Sequence, residues 1–83
     1  MKINVKYFAS IREGLGTAGE QVDTQAATLG ALRDELIARG GAHAETLARG
    51  RAMRVALNQV MSAEDAALTD GCEVAFFPPV TGG

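Results

Sequence analysis

The chain has 83 residues, 47% of them hydrophobic and 22% charged, with a formal net charge of -2. That length holds one domain with one core, and the composition is globular rather than disordered or collagen-like. A slightly acidic chain with scattered Arg lacks the basic stripe that a nucleic-acid partner needs, and no apolar run approaches the roughly 18 residues of a membrane span.

From Lys2 to Phe8 the sequence alternates. Ile3, Val5 and Tyr7 point one way and Lys2, Asn4 and Lys6 the other, which predicts a half-buried strand. Phe8 breaks the alternation, since it is aromatic on the polar face. Ser10 is placed to cap a short helical turn over residues 11–15, which Gly16 ends. A weak second strand is expected over Glu20 to Thr24, with Val22 its one large apolar residue. Thr28 caps a main helix from Leu29 to Arg39, in which Leu29, Leu32, Leu36 and Ile37 share a face. Gly40-Gly41 stop it. A shorter helix over residues 43–49 turns Leu47 inward. Arg54 to Leu57 reads as a third strand, Asn58-Gln59 as a turn and Val60-Met61 as a very short return strand. Leu68 to Gly71 is another turn, and Glu73 to Phe77 a last strand that is apolar on both faces after Glu73.

A strand apolar on both sides belongs in the middle of a sheet. Pairing it with the first strand encloses the helix in a strand–strand–helix–strand–strand order. The expected fold is α+β, a mixed sheet with one main helix across one face, a roll of the β-grasp type. A ferredoxin-like sandwich is the alternative, but residues 42–49 make a poor second crossover helix. Ile3, Val5, Tyr7, Leu32, Leu36, Val55, Leu57, Val74 and Phe76 are the expected core. Fifteen of the apolar residues are Ala, and a domain this small buries about 60–65% of its surface, so its stability depends on close packing or a covering partner.

Several chemistries find no residues here. The single Cys72 forms no intramolecular disulfide, and with no signal-peptide h-region the expected location is cytoplasmic. No Cys/His cluster suggests zinc, and no nucleophile motif is present. Cys72 sits in a turn beside Asp70 and Glu73, which oppose a reactive thiolate, and is expected to be structural or incidental. His43 is expected to be solvated or capping. On its own this chain does not read as an enzyme.

The C-terminal residues are more informative. With residues 1–77 as the folded domain, 78–83 form an expected flexible tail. Pro78 and Pro79 end the last strand, having no N–H for the ladder, and stiffen the exit. Val80, Thr81, Gly82 and Gly83 complete an arm that spans roughly 20 Å when extended. Without Cβ atoms, Gly82 and Gly83 pass a narrow tunnel and leave the terminal carbonyl uncrowded. A frayed end is the plain alternative, and Gly-Gly alone is a weak signal. Chemistry at the Gly83 carboxylate requires activation by another enzyme, naturally adenylation by ATP. Displacement of AMP by sulfur then leaves a thiocarboxylate, whereas an amine gives conjugation.

The stretch from Leu68-Thr69-Asp70-Gly71 through Phe76-Phe77-Pro78-Pro79-Val80-Thr81-Gly82-Gly83 resembles the MoaD family, the ubiquitin-like small subunits of molybdopterin synthase. Tyr7 to Glu13 and Leu57-Asn58-Gln59 are similar to the same family, which departs most over residues 17–52. The resemblance implies a β-grasp fold and a non-catalytic sulfur carrier with no stably bound cofactor. It implies that Gly83 is adenylated by an E1-like enzyme using Mg-ATP and sulfurated from a donor such as a cysteine desulfurase or rhodanese. The tail then enters the large subunit, in an expected heterotetramer of two small and two large chains, where cyclic pyranopterin monophosphate receives the dithiolene sulfur. Phe8, Met61 and Phe77 fall on the face away from the core and, with Arg12 on the rim and Pro78, Pro79, Val80 and Thr81 along the tail, are the expected partner contacts. A carrier for thiazole synthesis, a ubiquitin-like modifier and a plain interaction module remain as alternatives.

Overall fold

The structure is a computed structural model that describes residues 1–79. The alternation at the N-terminus forms β1 (Lys2–Tyr7), with Ile3, Val5 and Tyr7 buried and the intervening residues exposed. It pairs antiparallel with β2 (Gly19–Asp23), Ile3 opposite Val22. On its other side it pairs parallel with β5 (Glu73–Phe77), Val5 beside Val74 and Tyr7 beside Phe76. The sheet continues antiparallel through β3 (Arg54–Leu57) to β4 (Val60–Ser62), in the order β2-β1-β5-β3-β4. β5, apolar on both faces after Glu73, therefore lies at the centre of the sheet with both edges paired, and β1 runs beside it. A mixed sheet with helices across one face is a β-grasp.

Three helices connect these strands: α1 (Ala9–Leu15), α2 (Leu29–Ile37) and α3 (Gly41–Thr46). Thr28 caps α2, its Oγ1 accepting from the Ala31 amide at 3.2 Å, and Leu29, Leu32 and Leu36 lie fully buried on the sheet with Tyr7, Phe76, Ile3, Val5 and Val74. Each such side chain is worth roughly 1.5–3 kcal/mol of burial. The β3–β4 connection is a two-residue turn in which Asn58 (φ 50°) and Gln59 (φ 68°) are both left-handed, the geometry whose twist matches that of the strands. Asn58 also extends the sheet: its Oδ1 accepts from the Glu73 amide at 2.9 Å, and its own amide donates to the Glu73 carbonyl at 2.8 Å.

Several boundaries differ from expectation. Ser10 does not cap α1; it lies inside the helix, and Phe8 is the N-cap residue, without a side-chain cap. The Phe8 amide still donates to the Phe76 carbonyl at 3.1 Å, while its carbonyl accepts from the Ile11 and Arg12 amides. Strand and helix thus meet without a linker. The second strand begins one residue earlier, at Gly19. α2 stops at Ile37 rather than Arg39, because Arg39 and Gly40 already bond three residues back, to Leu36 and Ile37, and Gly40 then turns left-handed at φ 78°. α3 begins there, earlier than residue 43, and Leu47 just beyond it is buried. Leu57 is half-buried at the core margin rather than enclosed.

Candidate functional site

The pleat sends alternate residues to the face of the sheet opposite the helices. Register places Lys6 beside Ala75, Ala75 beside Ala56, and Ala56 beside Met61, one row across four strands. The two central positions of that row are methyl groups, flanked by larger side chains. A recess of about 260 Å³ results, with Ala56 and Ala75 among its lining and Phe8, Phe77 and Met61 around it. Phe8 is 46% exposed and Met61 50%. The Phe8 and Phe77 rings pack edge to face, centroids 6.1 Å apart. The structure therefore brings Phe8, Met61 and Phe77 into one apolar surface. Lys6 and Glu73 pair across its polar margin at 3.3 Å, an exposed contact that contributes little to stability.

β5 runs from this recess directly into Pro78, half-buried, and Pro79, exposed. Pro78 lines a second, larger cleft of about 460 Å³ between α1 and α3, with Ser10, Thr46, Arg51 and Met53. Arg12 projects from α1 into a shallow concavity shared with Phe8 and Lys6 and is exposed. Val80, Thr81, Gly82 and Gly83 lie outside the described residues.

Ala56 and Ala75 were not distinguishable in the sequence from the other alanines, since what makes them a recess is cross-strand register. Two polar clusters also escape periodicity. His43 is not solvated: its Nε2 lies 3.0 Å from Glu20 Oε2 and its ring packs edge to face on Tyr7 at 6.5 Å. Glu20 also accepts from Tyr7 Oη at 2.8 Å and Arg39 Nη1 at 2.6 Å. Burial opposes its charge, but hydrogen bonds from Arg39, His43 and Tyr7 outweigh that and hold its carboxyl at about 2. Tyr7 is pushed well above its ordinary value, by burial first and then by Glu20. Arg33 is the second case. It is 3% exposed and donates to the carbonyls of Leu47, Ala48 and Arg51 at 2.8, 2.7 and 3.2 Å and to Glu64 at 2.8 Å. Both clusters join separate segments of the fold, and neither opens into the recess. Cys72 is buried in the core.

Among the described residues no group of three side chains is arranged to hold a metal ion, and no helix is long and apolar enough to cross a membrane. What the site offers is an apolar surface next to the root of the C-terminal segment.

Comparison with known proteins agrees with this geometry. The chain is 44% identical over 81 residues to the molybdopterin synthase sulfur carrier subunit of Escherichia coli, covering 98% of this chain and 99% of that one. The crystal structure of SAMP1 from Haloferax volcanii superposes with a TM-score of 0.79 at 30% identity, each chain covered in full. In a complex of subunits 1 and 2 of molybdopterin-converting factor from Helicobacter pylori, one chain is similar over the full length of both at a TM-score of 0.68 and 26% identity. The ThiS family profile matches residues 5–83. With that match spanning nearly the whole sequence, and with the β-grasp sheet to support it, the chain belongs to the ThiS family.

Proposed function

We propose that this protein is the sulfur-carrier subunit of a molybdopterin synthase, the carried sulfur being held on Gly83. Its whole-length likeness to the Escherichia coli sulfur carrier subunit is the observation that carries this reading. A carboxylate is a poor acyl donor, so the Gly83 carboxylate first displaces pyrophosphate from ATP on an E1-like enzyme that supplies Mg-ATP. The resulting acyl adenylate is attacked by the terminal sulfur of a persulfide donor such as a cysteine desulfurase or rhodanese, and AMP leaves. A second thiol then cleaves the acyl disulfide by exchange, ending as a disulfide with the donor cysteine and freeing the sulfur on Gly83. The thiocarboxylate so formed is presented to a large subunit, where it gives sulfur to cyclic pyranopterin monophosphate to build the dithiolene. Two sulfurs are needed per product, which suits an assembly of two small and two large subunits, and the setting is cytoplasmic.

In this reading the surface of Phe8, Met61 and Phe77 docks the partner while Pro78 and Pro79 direct the arm, and Val80 to Gly82 thread it. The chain supplies no acid–base group to the reaction; it is the carried reagent. The likeness of the H. pylori chain to this one, in a complex of subunits 1 and 2, supports a large-subunit partner. Deleting Gly83 is the direct test. The shortened chain should melt at the temperature of the parent and transfer no sulfur; retained transfer would overturn the mechanism.

A second reading is favoured by the similarity to SAMP1, a small archaeal modifier protein. There the activated Gly83 would pass to a lysine amine instead of to sulfur. Intact mass of the protein from its native host separates the two. Exchange of one terminal oxygen for sulfur supports the carrier, and lysine adducts ending in Gly-Gly support the modifier.

A further inference from the structure

The chain has eight Lys and Arg residues, and they divide into two groups. Lys6 pairs with Glu73, Arg33 with Glu64, Arg39 with Glu20, and Arg49 with Asp34 and Glu64. Among the described residues Lys2, Arg12, Arg51 and Arg54 have no carboxylate at ion-pair distance. Lys2 begins β1, at the end of the sheet remote from Phe8. The other three gather where β5 gives way to Pro78. Arg54 is the strand neighbour of Phe77, Arg51 shares the cleft of Pro78, and the Arg12 amide donates to the carbonyl of Phe8. All three are exposed. Glu45 lines the same cleft as Arg51 and Glu13 adjoins Arg12, but neither forms an ion pair with them among the described residues.

The backbone under these cations is held firmly. Arg54 sits in the β3–β5 ladder. The segment carrying Arg51 is tied down by the buried Arg33 guanidinium through the carbonyls of Leu47, Ala48 and Arg51. Positions fixed in advance lose less conformational freedom on binding. An overall negative chain thus carries, at the end that holds the pair of Phe8 and Phe77, exposed guanidinium groups that have no carboxylate partner among the described residues, two of them on firmly held backbone.

We propose that Arg51, in the cleft of Pro78, and Arg54, the strand neighbour of Phe77, form a docking site for a carboxylate-bearing segment of the protein partner that takes the tail. This rests on the carrier reading given above. Aromatic side chains with Arg alongside are the composition enriched in protein interfaces. The planar guanidinium matches a carboxylate bidentately. Three cations on a chain of net charge -2 are too few to hold a nucleic acid. The pairing steers the encounter and sets the register in which Pro78 leaves the body, while the apolar recess supplies the sustained contact.

The test is association of the full chain with the large subunit of molybdopterin synthase from the same host, measured from about 50 mM to about 500 mM NaCl, a range over which exposed charge pairs become screened. Arg51→Glu and Arg54→Glu are compared with Lys2→Glu, which makes the same charge change at the far end of the sheet. Each arginine variant should bind roughly tenfold more weakly at low salt and approach the parent at high salt, mainly through a slower on-rate, while Lys2→Glu stays within about twofold. Arginine variants that match Lys2→Glu in affinity and salt dependence, with the parent still binding, overturn this inference and leave the carrier reading standing. A parent chain that does not bind the large subunit at any salt overturns both.

Discussion

Replacing Glu20 by Gln tests whether the cluster at the β2 edge stabilises the fold. The carboxylate receives hydrogen bonds from Tyr7, Arg39 and His43 at 2.8, 2.6 and 3.0 Å, and its pKa falls from an ordinary 4.5 to about 2. Each unit of pKa corresponds to about 1.4 kcal/mol, so the depression is equivalent to about 3 kcal/mol at neutral pH. The Glu20 side chain is 24% exposed and that of Arg39 41%, so solvent screening reduces this to about 2 kcal/mol. Because the folded-state value lies below the unfolded one, the contribution is complete above about pH 4.5 and is lost as pH falls towards 2. Urea unfolding of parent and Glu20→Gln at pH 7, 5 and 3 should show a gap of about 2 kcal/mol at pH 7, or roughly 8–16 °C in Tm for a domain of this size. The gap should fall to less than half by pH 3. A difference below about 0.5 kcal/mol at pH 7, or one of equal size at pH 3, would refute the reasoning.

Phe77→Ala removes a half-buried ring that packs on Phe8. It should cost about 1 kcal/mol of stability but 2 kcal/mol or more of partner binding, roughly thirtyfold in Kd; a collapsed Tm with unchanged affinity would place Phe77 in the core instead. Arg33→Met leaves the carbonyls of Leu47, Ala48 and Arg51 without their buried donor, which should cost roughly 3 kcal/mol in urea unfolding. The Arg51 amide, which donates to Ala48, should at the same time lose hydrogen-exchange protection.

Much of the fold was readable before any coordinates, because it depends on local periodicity. Ile3, Val5 and Tyr7 declared a strand face, Leu29, Leu32 and Leu36 a helix face, and Val74 to Phe77 a strand apolar on both sides that belonged in the centre. Boundaries were less legible. Ser10 looked like a cap, yet the Phe8 amide stays in the sheet while its carbonyl starts α1, a dual role set by strand pairing. The carboxylate nearest His43 in sequence is Glu45, yet its partner is Glu20, 23 residues away. Arg33 falls on the helix face of Leu29, Leu32 and Leu36, four residues after Leu29, but a charged side chain there is not readable as buried without its partners. Its burial depends on carbonyls delivered from the segment after α3.

The order of residues by itself determined the strand and helix faces, the central place of β5, and a Pro-Pro segment leading toward Gly-Gly. These follow from hydrophobic spacing and from backbone restrictions that act within a few residues. Only the tertiary structure decided that Ala56 and Ala75 open a recess between Phe8, Phe77 and Met61, and that Arg51 and Arg54, near Pro78, meet no carboxylate among the described residues. Those properties depend on cross-strand register and on which charges meet across the fold, relations between distant segments that no local pattern encodes.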